Sequence, residues 1–437
     1  MKAAILFQSK LFWFLLIAAI VATRHLGDLV VPQLRDEDGL VYFQQALVWG
    51  GWRIVLWPYG GYMNLLPRLL AALLRPIPLE WAPLAYNISG LVVVSAIAAR
   101  VGTARIPRLA AAAGALALIV VPGSCVGSVD LDLLHFTLAA LIAVNLLESA
   151  PESNCETVRR GIEMLIATLS GPEGIVLVPF ALLRCWQWRR SRRGLLMLGG
   201  LLIGTLVQLL VFLGDPRKSA ARQLATLPSV GVLSRYAKLL FGGWLGAPYD
   251  RRVAMAVFAT ALAGMAWVWI VRDQRHRWPA VLVLLGGLAF LCVGRAANGH
   301  WCHPFYFGCR HVYLPYAAVF WSLGWLAAGI EGWRRVAPAL LATAAIASAL
   351  PTWTSGMPPD LHWREQVTAL REGRSPIFAD ARVLGWRCPL PVGHSAMLWV
   401  LAGGSDQQIH AFAICVPCVG PVTTEDPEVY IRKLQLP

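Results

Sequence analysis

The chain has 437 residues, of which 57% are apolar and 14% charged, and it carries a formal net charge of +14. A water-soluble domain of ordinary composition carries about 25% charged residues, so this balance excludes a typical soluble globule. The excess of Lys and Arg does not imply nucleic acid. The cations gather in short segments between apolar runs, where a positive-inside bias puts them.

Apolar windows of about 20 residues recur along the chain and predict an all-α polytopic membrane protein. Residues 11–23 follow Lys2 and Lys10, run into Arg24 and His25, and lack a small-x-small cleavage site. They read as an uncleaved first span with a cytoplasmic N-terminus. Residues 24–80 then form a long first outer loop with in-plane helices, periplasmic in a bacterium. Residues 82–99 return inward to Arg100, Arg105 and Arg108, and 109–121 go out as far as Pro122-Gly123. A short outer loop with Asp130 and Asp132 leads into 133–147, which come back in.

Residues 161–183 break the alternation. Arg159 and Arg160 precede them, Arg184, Arg189, Arg190, Arg192 and Arg193 follow, and all demand the cytoplasmic side. Ser170-Gly171-Pro172-Glu173-Gly174 sits between, a helix breaker with a charge. A re-entrant hairpin satisfies both facts, since broken backbone at membrane depth survives where protein or water covers it. The other reading is a Pro-kinked full span.

Residues 194–214 then go out to a second outer loop, 215–252, whose basic amphipathic stretch (Lys218, Arg222, Arg235, Lys238) suits a membrane surface. Residues 253–271 go in and 278–293 out, to a third outer loop at 294–310. Residues 311–330 go in and 336–350 out. The expectation is a transmembrane module, 1–350, of about ten helices plus the hairpin, followed by a small periplasmic C-terminal region, 351–437. The chain would lie in a bacterial inner membrane. Cys302, Cys309, Cys388, Cys415 and Cys418 all fall on the oxidising side. Cys302 with Cys309, and Cys388 with one of the other two, read as structural disulfides; Cys415-x-x-Cys418 lacks the further ligands of a zinc site.

The chemistry points to residues 34–70. Ordinary connections between helices are short; this one is long, aromatic and acidic. Asp36, Glu37 and Asp38 stand at its head. Carboxylates are costly near hydrocarbon and are retained where pairing or function offsets the cost. One of them can take a proton from an acceptor hydroxyl, or the group can hold a divalent cation, Mg or Mn. The structural alternative is that they cap a helix starting at Gly39. Trp49, Trp52, Trp57, Tyr59 and Tyr62 are denser than an interfacial belt requires, and with Asn64 they form a candidate sugar- or acceptor-binding surface. Arg310 opens a span on the outer side, His303 precedes it, and Arg68 sits on an apolar helical pattern. A guanidinium forks onto phosphate oxygens, although an Arg at the end of a span also serves as a snorkelling anchor.

An acidic group just after span one, a long first outer loop, many spans and a small outer C-terminal part resemble the GT-C superfamily of membrane glycosyltransferases. Within the chain, the pieces EDG at 37–39, PYGGYMNLLPRL at 58–69, GPEGIVLVPF at 171–180 and RHVYLP at 310–315 resemble an uncharacterised bacterial branch of it. The resemblance implies a polyprenyl-phosphate-linked sugar donor, a glycan, lipid or protein acceptor on the outer face, and a first-loop acid as base. It implies Asp38 ahead of Asp36 and Glu37 for that base, and Arg310 for the donor phosphate, with Arg68 second. The superfamily's Asp-Glu-x-x-Tyr spacing is not met, because Tyr42 lies four residues after Asp38. Two rival classes remain. A transporter or lipid-linked sugar flippase is favoured by the acid at the 171–174 break, and a non-catalytic assembly protein by composition alone.

Overall fold

A computed structural model describes residues 9–34, 38–43, 45–46, 50–59, 61–120, 129–214 and 310–329. It further describes positions 332, 336, 340 and 343, and residues 363–371, 377–380, 395–402 and 410–417. In chain order the elements begin with α1 (Lys10–Arg24), α2 (Leu26–Val30), a π-helical turn (Asp38–Phe43), α3 (Gly51–Ile54), β1 (Pro58–Tyr59), β2 (Tyr62–Met63) and α4 (Leu65–Leu74). A 3-10 turn (Leu79–Trp81), α5 (Ala82–Gly102), α6 (Arg108–Val120), α7 (Leu134–Leu147), α8 (Asn154–Leu169), α9 (Glu173–Gln187) and α10 (Arg192–Gly214) follow. Then come α11 (Arg310–Gly329), α12 (Trp363–Arg371), β3 (Ile377–Asp380), β4 (Ser395–Ala402) and β5 (His410–Pro417). The described chain is mostly helical. It divides into two compact units, Met1–His25 with Leu56–Leu66 and Ser89–Thr354, and Leu26–Val55 with Pro67–Ile88 and Ser355–Pro437.

The first unit is a helical bundle whose packing follows its small residues. A Cβ on Gly200 would strike the backbone of Gly161, and one on Gly204 would meet Thr168 at 2.8 Å, so α8 and α10 run side by side in the same direction. Close approach of this kind needs small residues at the crossing. Likewise Gly114 of α6 lies against Trp321, and Gly324 against Ala113, which sets α11 antiparallel to α6. The Tyr313 hydroxyl closes that contact by donating to the Leu118 carbonyl at 2.9 Å.

The break expected at 170–174 is where α8 stops and α9 begins, and the two helices form a hairpin along α7. Near the start of α8, Arg160 donates to the Asn145 side chain (2.9 Å) and the Ser149 carbonyl (2.8 Å), at the C-terminal end of α7. At the break, Glu173 meets His135, at the opposite end of α7. At the end of α9, Arg184 donates to the Leu146 and Leu147 carbonyls, back at the first end. A single Pro-kinked helix cannot touch α7 in that order. Ser153 starts α8 as an N-cap, its hydroxyl accepting from the Glu156 N–H at 3.1 Å.

Two helices among the described residues, Leu79–Gly102 and Arg192–Gly214, are long and apolar enough to cross a membrane, by length and composition. Arg108–Val120, Leu134–Leu147 and Tyr316–Gly329 are apolar but shorter, as is the helix of the expected first span, Lys10–Arg24. The spans expected at 253–271 and 278–293 lie outside the described residues, as do nearly all of 336–350.

The second unit corrects the all-α expectation. Its C-terminal part contains an antiparallel sheet ordered β3-β4-β5, with Asp380 paired to Leu398 and Met397 to Cys415. β4 and β5 are apolar runs of 8 residues, a length at which strand and buried helix cannot be separated by periodicity. In the same unit α12 packs on the first loop. The Trp363 indole donates to the Leu79 carbonyl at 2.7 Å, and its ring meets Phe43 edge-on at 5.8 Å.

Candidate functional site

Among the described residues, each unit holds a polar centre that includes or adjoins an expected site residue. That in the second unit is built by the first loop. The π-helical turn begins at Asp38, which is 1% exposed, and carries Tyr42 and Phe43, both buried. A π turn is a rare backbone form that recurs at functional sites. Asp38 also opens its helix, so the carboxylate has the position of a helix-start acid as well. From α5, Tyr86 packs edge-on against Phe43 at 6.1 Å, and the Asp38 carboxylate acts on it electrostatically. Arg68 projects from α4 and is also 1% exposed. It donates to the Gln45 side chain at 2.7 Å, and its guanidinium stands over the Tyr42 ring, 5.7 Å from the centroid. A carboxylate and a guanidinium, both out of water, thus share one aromatic cluster. Asn87 ties that cluster's helix to α2 by donating to the Asp28 carbonyl at 2.8 Å.

The centre in the first unit surrounds the α8–α9 break. His135 Nδ1 and Glu173 Oε1 lie 2.5 Å apart, both side chains under 10% exposed. Glu173 is in the first turn of α9, where the helix dipole favours an anion. Gly171 makes room for the pair, because a Cβ there would collide with Glu173 Oε2 and reach 2.5 Å from the His135 Cβ. The Tyr62 ring leans on His135 with centroids 6.0 Å apart. Gln208, fully buried in α10, knits the surroundings together: its Nε2 donates to the carbonyls of Met63, Thr168 and Gly171, and its Oε1 accepts from the Met63 N–H. It thereby satisfies carbonyls left over where α8 ends. Ser170 does the same for α4, its hydroxyl accepting from the Leu66 N–H at 3.0 Å. Asn64, fully buried beside this knot in sequence, finds no partner for Oδ1 or Nδ2 among the described residues, and neither does Glu173 Oε2.

Of the expected site residues, Asp38 and Arg68 are brought into one unit, while Tyr62 and Asn64 belong to the other. Trp57 is 40% exposed and directly precedes the β1–β2 hairpin, and Tyr59 is half-buried within it, paired with Tyr62. Arg310 opens α11 one turn before Tyr313, whose ring contacts Phe136 at 6.4 Å; the Arg310 side chain is outside the described residues. So are Asp36, Glu37 and His303, the basic stretch at 218–238, and Cys302, Cys309, Cys388 and Cys418. No group of three or more His, Cys, Asp or Glu among the described residues could hold a metal ion.

Sequence reasoning did not single out His135, Tyr86 or Gln208. The signal for Gln208 is its isolation in an apolar helix of 23 residues. His135 carried a weaker one, an ionisable residue just inside an apolar run. Compared with protein-family models, curated proteins and solved structures, the chain matches none.

Proposed function

We propose that the chain is a GT-C-like membrane glycosyltransferase, moving a sugar from a polyprenyl-phosphate donor to an acceptor hydroxyl on the outer face. The observation that carries the reading is Asp38, a first-loop carboxylate held 1% exposed in the same compact unit as the equally buried Arg68. Removing both charges from water is expensive unless a structural pairing or a task compensates it. In this reading Asp38 takes the acceptor proton, the acceptor oxygen attacks the anomeric carbon, and the phosphate leaves with the donor's electron pair. Arg68 stabilises the departing phosphate. One displacement inverts the anomeric centre and needs a single carboxylate. The fold that goes with it has about ten spans and a re-entrant α8–α9 hairpin, with the N-terminus cytoplasmic and residues 351–437 periplasmic.

The test is transfer from labelled polyprenyl-phosphate sugars by purified protein. Asp38→Asn should lower the rate by about 10²–10⁴-fold with the thermal midpoint preserved, and Arg68→Lys should weaken donor use. Full activity in both variants removes the assignment.

A second reading has its own observation. The buried His135–Glu173 pair at a helix break fits a transporter or lipid-linked sugar flippase, whose paths are lined by interrupted helices. Movement of labelled lipid-linked sugar across vesicles, without transfer, would favour it.

A further inference from the structure

A groove of about 880 Å³ runs along α8 in the first unit, between that helix, α5 and α7. Its floor is apolar, with Val92, Leu138, Val158 and Ile162 among its lining, and three of these side chains lie largely open: Val92 at 43%, Val158 at 61% and Ile162 at 50%. Its polar lining, Arg100, Asn154, Cys155, Arg159 and Glu163, follows the N-terminal part of α8, and the lining beyond Glu163 is apolar. From Asn154 to Ile166 the groove follows 13 residues of α8, a rise of about 18 Å. Half the hydrocarbon thickness of a bilayer is about 15 Å. The groove therefore has about the depth of one leaflet, with polar groups beside its N-terminal part and apolar side chains lining the rest.

The mouth is basic. Arg159 engages Glu163 through Nη1, leaving Nε and Nη2 without a partner among the described residues, and its side chain is 42% exposed. The exposed Asn154 accepts from Arg193 Nε through its side-chain Oδ1 at 3.0 Å. Arg189, Arg190, Arg192 and Arg193 are exposed at the same end, and no Asp or Glu occurs between 174 and 214 to offset them. Basic pockets between membrane helices on the cytoplasmic side bind anionic lipid headgroups.

We propose that this groove binds an anionic phospholipid of the cytoplasmic leaflet, one acyl chain lying along α8 and the phosphate at Arg159 and Asn154. The proposal rests on the membrane reading of the chain and is independent of glycosyl transfer.

Cys155, exposed and free at the mouth, supplies the readout. The full-length protein is placed in lipid nanodiscs of phosphatidylcholine alone or mixed with phosphatidylglycerol. Alkylation of Cys155 by a bulky maleimide is followed by peptide mass spectrometry, with half-buried Cys185 as internal reference. Phosphatidylglycerol should slow Cys155 roughly fivefold relative to Cys185, the protection expected at about four times the dissociation constant. Arg159→Glu, a change at a partly exposed position, should abolish the difference between the two lipids; Ile162→Trp, which fills the groove, should do the same. Equal rates in the two lipids, or protection that survives both substitutions, overturns the lipid site alone. A chain that elutes free of the discs refutes the membrane reading, and the lipid site with it.

Discussion

Replacing Glu148 with Ala should cost about 3 kcal/mol, because one carboxylate holds the ends of three helices. Glu148 is 3% exposed and accepts from Arg100 at 3.1 and 2.6 Å and from the backbone N–H of Arg105 at 2.7 Å. Arg160, fully buried, stands 3.7 Å from the same carboxylate. Removing one partner of a buried ion pair costs about 3–5 kcal/mol. Here the low end applies, since Arg100 keeps Asn145 at 3.1 Å and Glu163 at 3.3 Å, and Arg160 keeps Asn145 and Ser149. At roughly 2–4 °C per kcal/mol the thermal midpoint should fall by roughly 6–12 °C, read by tryptophan fluorescence in detergent. The pH dependence follows from the sign of the shift. Burial pushes the Glu148 carboxyl up, but the Arg100 bond and charge, the Arg105 N–H and Arg160 outweigh it, and the net displacement is downward from 4.5. A carboxyl depressed in the folded state contributes its stability above the unfolded value and loses it as pH falls through the folded one. Wild type should therefore weaken steeply below pH 4.5, and Glu148→Gln should flatten that slope. A midpoint within 2 °C of wild type for Glu148→Ala, or an unchanged acid limb for Glu148→Gln, would refute the reasoning.

The first unit's polar knot makes further predictions. Gln208→Leu preserves size but leaves the carbonyls of Met63, Thr168 and Gly171 and the Met63 N–H without their amide; with about 1–3 kcal/mol per orphaned group and partial relaxation, a loss of about 3 kcal/mol is expected in the same melt. Gly171→Ala should force His135 and Glu173 apart and lower stability by about 1–3 kcal/mol. Gly90→Ala drives a Cβ into the backbone at Val129, with Val129 Cα 2.9 Å away, and should cost a similar amount, whereas Gly199→Ala meets nothing within 4 Å and should be neutral or stabilising. If Gly90→Ala and Gly199→Ala melt together, the close approach at Gly90 is wrong.

The helices legible beforehand were those whose ends coincide with a change of chemistry. α5, α6, α7 and α10 stop near Arg100, Pro122, Glu148 and Asp215, where an apolar run meets a charge or a breaker. The α8–α9 break was legible for the same reason, through Gly171 and Pro172. Strands β4 and β5 were not, because eight apolar residues fit a buried strand or a piece of helix equally well. The π-helical form of the turn at Asp38 leaves no local mark either. Of the candidate site, Asp38 was legible as one of three adjacent acids and Arg68 as a second choice after Arg310. The pairing of His135 with Glu173 was not, because the two lie 38 residues apart and meet only through the way α8 and α9 fold back along α7.

That difference separates two kinds of polar residue in apolar surroundings. Asn145, Arg160 and Gln208 each have several partners and each closes a helix end: Asn145 and Arg160 at the arginine-rich end, Gln208 at the break. Their burial is accounted for by backbone groups they satisfy, so they are structural, and replacing them should be read in melting. Asn64 and Glu173 Oε2 satisfy nothing among the described residues although both are buried. A buried polar atom that supports no neighbour loses hydration without return, and either a buried water or a ligand group can restore it. Asn64→Ala should accordingly leave the thermal midpoint within about 1 kcal/mol of wild type, or raise it, while reducing transfer or transport. A large loss of stability in Asn64→Ala, with function intact, would move Asn64 into the structural class and leave the first-unit centre with Glu173 alone.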